Sequence, residues 1–309
     1  MVIVTGGAGF IGSNILKKLN GLGKDDIVVV DNLTKSDKYR NLVGVKFFDY
    51  LDKNDFLHRL EAQQFGNVQT IFHQGACTDT MEYDGEYMMR NNYEFSKRIL
   101  DIALSQRINL ISASSAAVYG NKTTGRPDDE SPLNVYGFSK LAFDRYAMRR
   151  AVGAEAAVVG LRYFNVYGPG ESHKGRMASM VYNLTNQIRE TGKARLFGAF
   201  GGYGPGEQKR DFVNVDDIAE INLHFAFKDP VQTVVDAGTG SRRTWNELAA
   251  AVMKAHGAGE IEYIDFPLSL ADKYQFDTCA DTTELRKHGF TRDFKSLEDG
   301  VAEYVGAVT

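Results

Sequence analysis

Cysteine is nearly absent from this sequence. Its 309 residues hold Cys77 and Cys279 and no other thiol. Two cysteines cannot build a disulfide framework or a four-ligand zinc site, and they read as buried thiols of a reducing cytosol. Long apolar runs are also missing, since none approaches the roughly 20 residues that span a membrane. The N-terminus carries no basic segment followed by an apolar stretch and a cleavage site. No secretory leader is visible, and a cytoplasmic location is expected. Basic charge is not in excess either: 36 Lys and Arg face 40 Asp and Glu, for a formal net charge of -4. Nucleic-acid surfaces are usually basic, so neither a nucleic acid nor a membrane is an expected partner. No internal repeat, low-complexity tract or charged tail breaks the chain.

What is present is the composition of an ordinary globular protein, 43% hydrophobic and 25% charged. The length permits a large core and one or two domains. Met1-Val2-Ile3-Val4 reads as a short buried strand. Thr5-Gly6-Gly7-Ala8-Gly9-Phe10-Ile11-Gly12 follows it, and then an amphipathic helix to about Leu22. In that setting Gly6, Gly9 and Gly12 allow a tight turn, close approach of backbone to a pyrophosphate, and close packing of helix on strand. The helix N-terminus then offers N–H groups and partial positive charge to phosphate. Ile27 to Asp31 reads as a second strand, and Asp31 falls about twenty residues after the glycines, where an acid meets the adenosine ribose. Asn32, Lys35, Lys38 and Arg40 follow at once, and a basic group there can neutralise a 2′-phosphate. On this local chemistry NAD and NADP both stay open.

A third strand is expected over Val45 to Asp49, a helix from Lys53 to Phe65, and a fourth strand over Thr70 to Gln74. That strand ends in the small-residue turn Gly75-Ala76-Cys77-Thr78, where backbone can pass close to a cofactor. His73 reads as a core histidine rather than a catalyst. A long helix is expected from Asn91 to about Ser105, with Asn91 and Asn92 near its start and able to hydrogen-bond across to the sheet. A fifth strand over Leu110 to Ser114 leads to Ser115, beyond a strand's carboxyl end, where open α/β sheets bind ligands. A polar loop spans Asn121 to Pro132.

Tyr136-Gly137-Phe138-Ser139-Lys140 comes next. A tyrosine and a lysine four apart lie on one helix face, one turn from each other. A nearby ammonium favours the phenolate, so Lys140 is expected to lower the pKa of Tyr136 and make it a proton carrier. Ala156 to Phe164 reads as a sixth strand. The pattern then changes: a polar loop over Glu171 to Gly175 holds His173 and Lys174, a helix runs from Met177 to about Thr191, and Gly198 to Gly206 is glycine-rich. Strands alternating with helices predict an α/β fold, a Rossmann-like doubly wound parallel sheet with a smaller C-terminal α/β lobe. The dinucleotide domain is expected over 1–167 with about 212–237, and a substrate lobe over 168–211 and 238–309.

Gly6-x-x-Gly9-x-x-Gly12, Ser115 and Tyr136-x-x-x-Lys140, in this order, resemble the extended short-chain dehydrogenase/reductase family. Arg210-Asp211-Phe212-Val213 with Asp216-Asp217, and Ala237-Gly238-Thr239-Gly240, carry the resemblance over nearly the whole chain. It implies that Tyr136 is the acid/base, that Lys140 lowers its pKa and holds the cofactor ribose, and that Ser115 polarises the substrate oxygen. It also implies cofactor contacts at Phe10, Ile11, Asp31, Asn32, Lys38 and Lys53, at Gln74, Gly75, Ala76, Cys77 and Thr78, and at Asn91 and Val166. Dehydratases of that family carry an acidic pair right after the serine position. Here those positions are Ala116 and Ala117, which leaves epimerisation or simple redox.

A finer resemblance is to the ADP-heptose 6-epimerase group within the family. It rests on Phe72-His73-Gln74-Gly75-Ala76-Cys77, Leu133-Asn134-Val135-Tyr136-Gly137 and Asn165-Val166-Tyr167-Gly168-Pro169. Gly175-Arg176-Met177-Ala178-Ser179 after His173-Lys174, and Lys273-Tyr274-Gln275, add to it. Gln74, Arg176 and Asn183 depart from the pattern, which has an acid, a serine and a histidine there. The resemblance implies an ADP-heptose substrate from lipopolysaccharide-core synthesis, tightly held NADP, transient oxidation at C6″, and a homo-oligomer built on pentamers. Inversion presents opposite faces, so two proton handlers are needed: Tyr136 and, by resemblance, Lys174. Substrate contacts carried over are Ser115, Asn165, Arg176, Asn183, Phe197, Gly198, Ala199, Phe200, Arg210 and Tyr274. Arg210 suits diphosphate oxygens, or else a salt bridge to Asp211 or Asp217. Two alternatives share the sequence: another nucleotide-sugar epimerase or reductase of this fold, such as a UDP-hexose 4-epimerase, and a non-catalytic dinucleotide-binding regulator. The serine, tyrosine and lysine together argue against the regulator.

Overall fold

Runs of valine and isoleucine pass into strands that are covered on both faces. In the computed structural model, which describes residues 1–33, 37–121 and 129–308, β1 (Val2–Thr5), β2 (Ile27–Asp31) and β4 (Thr70–His73) are buried at every position. Lys35 and most of the 121–132 loop lie outside the described residues. In chain order β1 leads to α1 (Phe10–Gly21), β2 to β3 (Asp49–Asp52) and α2 (Lys53–Glu61), and β4 to α3 (Gly85–Met88). A π-helical turn over Met89–Glu94 joins α3 to α4 (Phe95–Ser105), followed by β5 (Asn109–Ser115), α5 (Val135–Arg150) and β6 (Val158–Tyr163). Then come β7 (Asn165–Tyr167), α6 (Met180–Thr191), β8 (Lys193–Phe197), β9 (Lys209–Asn214), α7 (Val215–Ala226) and β10 (Gln232–Ala237). The chain closes with β11 (Arg242–Thr244), α8 (Trp245–His256), β12 (Glu260–Ile264), α9 (Thr283–Lys287) and α10 (Leu297–Val308).

Seven strands form one sheet in the order β10-β6-β5-β4-β1-β2-β3. The pairs β1–β2, β1–β4, β2–β3 and β4–β5 are parallel. This is the Rossmann-like doubly wound sheet, with strand order reversing between β1 and β4; the crevice beyond that point is where such sheets take ligands. The chain packs as two compact units: Met1–Ser115 with Asn134–Arg162 and Ala219–Val235, and Ala116–Leu133 with Tyr163–Ile218 and Asp236–Thr309. The first unit packs Ile3, Val28, Ile71 and Leu110 of the strands against Phe56, Leu60 and Ile99 of the helices. Each such side chain contributes about 1.5–3 kcal/mol by burial. The second unit has a three-stranded sheet, β11-β9-β7, and the parallel pair β12-β8. Its core joins Leu184, Ile188, Leu196, Trp245, Leu248 and Val301. Among the described residues no helix is long and apolar enough to cross a membrane.

Two elements differ from the sequence reading. The third strand forms at Asp49–Asp52, not Val45–Asp49, because its register with β2 runs from Val28↔Asp49 to Asp31↔Asp52. The apolar run before it stays outside: Phe48 is 73% exposed, whereas Leu51 is buried. The helix expected from Asn91 starts earlier, at Gly85, where Asp84 caps it by accepting the Tyr87 N–H.

Candidate active site

The turn after β1 closes through Gly9 N–H to Gly6 O (2.9 Å). Gly6 takes φ +66°, and a Cβ on it would lie 2.7 Å from Gly75 N; a Cβ on Gly12 would lie 2.2 Å from Gly6 O. Side chains therefore cannot enter, and the backbone stays open to a ligand. α1 starts at Gly9 with no side-chain cap, so its positive end suits a phosphate. A cavity of about 450 Å³ opens on this turn, lined by Thr5, Gly6, Val30, Asp31, Asn32, Lys38, Lys53, Gly75, Ala76, Cys77, Tyr87, Asn91 and Phe95. Most of the residues expected at the cofactor meet here, and Gly9, Phe10, Ile11 and Gly12 build the adjoining helix start. Gln74 instead donates its amide to Asn222 (3.1 Å), Thr78 is exposed, and Val166 belongs to β7 of the second unit. Thr5, Val30, Tyr87 and Phe95 line the cavity without having been anticipated; the aromatic pair lies on the helical stretch whose start was read too late.

At one end of the cavity Lys38 Nζ donates to Asp31 Oδ1 (2.5 Å), and Asp31 Oδ2 accepts the Ala8 N–H (2.8 Å). Tyr50 donates to the Asp31 carbonyl oxygen (3.0 Å). Burial, with the charges of Asp31 and Asp52, pushes that phenol up to about 12. A glycine cradle that a Cβ would fill, an uncapped helix start and an acid paired with a lysine all fit a dinucleotide.

The loop after β4 is held by a chain of buried hydrogen bonds. Gly75 N–H donates to Thr5 Oγ1 (3.2 Å), and Thr5 Oγ1 meets His73 Nδ1 (2.7 Å). His73 Nε2 meets Ser96 Oγ (2.8 Å), and Ser96 donates to Asn92 O (2.5 Å). Ser96 has one proton, given to Asn92, so it accepts from Nε2–H and Thr5 donates to Nδ1. His73 is thus a neutral core histidine, pulled down to about 3 by burial and by Lys140. Asn92, inside the π-helical turn, accepts Cys77 N–H (2.8 Å) and donates to Cys77 O (2.9 Å). Neighbouring Asn91 accepts from Lys53 (2.8 Å). Asn92 was foreseen only as able to reach the sheet; from within the π turn it holds both main-chain groups of one loop residue.

Asn134 caps α5 by accepting the Gly137 N–H (2.8 Å), which starts the helix one residue before Tyr136. Tyr136 and Lys140 are then buried together on one face. Tyr136 hydrogen-bonds Ser115, and Lys140 Nζ donates to Ala113 O (2.8 Å). Burial pushes the Tyr136 phenol above its ordinary value, Ser115 draws it back, and Cys77 adds to the rise. The expected fall through Lys140 is not the net outcome, because the ammonium is aimed at the backbone and burial dominates. Burial instead pulls Lys140 down to about 8, against Asp144 and Cys77. Ser115, Tyr136 and Lys140 form a group able to hold and pass a proton.

In the second unit Lys174 lies half-buried in a 3-10 turn, Ser172–Met177. Burial lowers its pKa and Glu171 raises it. Glu171 is fully buried and accepts from Ser179 Oγ (2.7 Å) and Ser179 N–H (2.5 Å). Arg176 is exposed, Asn165 begins β7, and Asn183 donates to Ala178 O (3.1 Å). Phe200 stacks on Phe266 at 4.2 Å, and Phe197 and Tyr274 meet Phe266 edge-on. Gly198 and Ala199 join Phe197 to Phe200 in that cluster. Arg210 is buried with its guanidinium over the rings of Tyr274 (4.9 Å) and Trp245 (5.4 Å). Asp211 is bound elsewhere, by the Thr239, Gly240 and Ala280 N–H groups, and Asp217 accepts the Lys295 N–H.

A Rossmann-like sheet carrying a glycine turn and a Ser–Tyr–Lys group, its tyrosine and lysine buried, defines a nucleotide-cofactor enzyme of the short-chain type. Residues 2–238 match the NAD dependent epimerase/dehydratase family, and the chain belongs to it. It is 50% identical over 311 residues, 100% of this chain and 97% of the relative, to the ADP-L-glycero-D-manno-heptose-6-epimerase of Alkalilimnicola ehrlichii. The crystal structure of the ADP-L-glycero-D-manno-heptose-6-epimerase of Helicobacter pylori is 34% identical, with TM-score 0.86 over 99% of this chain and 95% of that one. That of the UDP-glucose 4-epimerase of Thermotoga maritima with UDP-glucose is 27% identical, with TM-score 0.84 over 99% and 98%.

Proposed function

We propose that this chain inverts C6″ of ADP-D-glycero-D-manno-heptose to give the L-glycero epimer, a precursor of the lipopolysaccharide core, using bound NADP. The observation that carries this reading is the 50% identity, over the whole chain, to the Alkalilimnicola ehrlichii epimerase. A nicotinamide dinucleotide supplies hydride acceptance and return. The chain handles the protons. Ser115 steadies the substrate oxygen, and Tyr136 takes its proton as the C6″–H bond breaks. Lys140 holds the ribose. The ketone then presents its opposite face, and Lys174, drawn down by burial, manages the proton on that side. No cofactor is consumed, since one hydride leaves and one returns. Asn165, Arg176, Asn183, Arg210, Tyr274 and the 197–200 turn hold the ADP-heptose. Lys38, beside Asn32 and already tied to Asp31, favours the 2′-phosphate of NADP over NAD. The reading includes a cytoplasmic homo-oligomer built on pentamers, which sedimentation analysis checks.

Purified protein given ADP-D-glycero-D-manno-heptose should interconvert the C6″ epimers with no net NADP consumption. Absence of turnover on authentic substrate removes the proposal. Turnover of UDP-hexoses, with NAD released on denaturation, would replace it by a 4-epimerase of the same fold. Lys174→Met should cripple epimerisation while NADP still binds; unchanged turnover would return Lys174 to the surface.

A further inference from the structure

The end of β5 holds successive turns of α5. Ala113 O accepts from Lys140 (2.8 Å), Ser114 Oγ donates to Asp144 Oδ2 (2.8 Å), and Ser115 bonds Tyr136. Tyr136, Lys140 and Asp144 stand four residues apart in turn, on one helix face. The Asp144 oxygen that takes the serine also accepts Arg162 Nε of β6 (3.0 Å). Its other oxygen, Oδ1, is buried and has no hydrogen-bond partner among the described residues. Gly160 leaves space for it, since a Cβ there would lie 3.2 Å from Oδ1. A buried charge with an unpartnered oxygen is costly, and a packing role alone is better filled by an apolar residue.

We propose that Asp144 is a positioning residue for the Tyr136–Lys140 pair: its carboxylate, clasped by Ser114 and Arg162, sets the register of α5 on β5 and keeps Lys140 charged where water is excluded. Tyr136 and Asp144 stand one turn to either side of Lys140 on its own helix, and His73 of β4 and Cys77 after β4 interact with it electrostatically. His73 is neutral near pH 7 and adds no charge. Asp144 is the largest influence opposing burial at Lys140. Burial pushes Asp144 itself up, and Arg162 and Ser114 draw it back. With the carboxylate in place, its charge acts on Arg162 and on Lys140. Without it, Lys140 loses the largest influence that opposes burial, and a buried lysine gives up its proton more readily.

The inference rests on the epimerase reading only for its effect on turnover, so the test needs no substrate. NMR of the full chain labelled with ¹³Cε-lysine, with the signal assigned by Lys140→Met, reads the titration midpoint of Lys140. Wild type should titrate at about 8. Asp144→Asn should lower the midpoint by about one pH unit or more, and Asp144→Glu should keep it. Should Asp144→Asn fail to fold, Asp144→Ser, smaller and equally uncharged, carries the same expectation. An unmoved midpoint in a folded, uncharged variant overturns the proposal, as does a fallen midpoint in Asp144→Glu. With ADP-heptose, the alkaline limb of kcat/KM in Asp144→Asn should move down by the same amount. A Lys140 midpoint that follows Asp144 in a protein inert toward ADP-heptose would sink the epimerase reading and leave this one standing.

Discussion

One imidazole ties proton binding to the stability of the first unit. His73 bridges Thr5 and Ser96 as the neutral tautomer, and its pKa lies at about 3 against an ordinary 6.5. The folded value is the depressed one. Its stabilisation is therefore complete above pH 6.5 and is lost as pH falls from there through about 3. The whole window corresponds to on the order of 5 kcal/mol. Urea unfolding at pH 7 and pH 4.5 should show wild type losing about 2–3 kcal/mol more than His73→Gln between the two. Equal losses in both proteins would contradict the tautomer assignment. A core histidine was legible from the strand pattern around residues 70–74, but its partners were not. Thr5 lies 68 positions away and Ser96 lies 23 away, and no local period marks such a chain of hydroxyls.

At the scale of elements, the strand–glycine turn–helix at the N-terminus was legible because each part demands the others. Gly6 and Gly12 permit no Cβ where backbones meet. The third strand was misplaced because hydrophobicity stood in for pairing, and the partner strand decided. The π-helical turn was invisible, since one inserted residue leaves helical composition unchanged. It nonetheless carries Asn92, which holds Cys77 and with it the loop lining the cavity. Asn92→Ala would strand the N–H and carbonyl of Cys77. That should cost about 2–4 kcal/mol of stability and weaken NADP binding about tenfold, read by fluorescence titration. Unchanged affinity would mean that the loop keeps its shape without the asparagine.

At the scale of the whole molecule, every residue lining the cavity on the glycine turn lies within Met1–Ser115 of the first unit. The Ser115, Tyr136 and Lys140 cluster falls in the same unit, whereas Lys174, Arg210 and Tyr274 fall in the second. A ligand that binds only the folded state stabilises it by about 2.7 kcal/mol at one hundred times its Kd, a factor of roughly one hundred in the unfolded population. Saturating NADP should accordingly slow hydrogen exchange at the buried amides of β1, β2 and β4 by about one hundredfold where those amides exchange by global opening. Gly6→Ala carries a side chain into Gly75 at a positive φ, so it should remove that protection without abolishing the fold. Lys38→Ala should bring the protection given by NADP down to that given by NAD at equal concentration. If the strand amides are indifferent to NADP, or if Gly6→Ala keeps the slowing, the dinucleotide binds elsewhere. In that case the glycine turn, the acid–lysine pair and the serine–tyrosine–lysine group lose their common purpose.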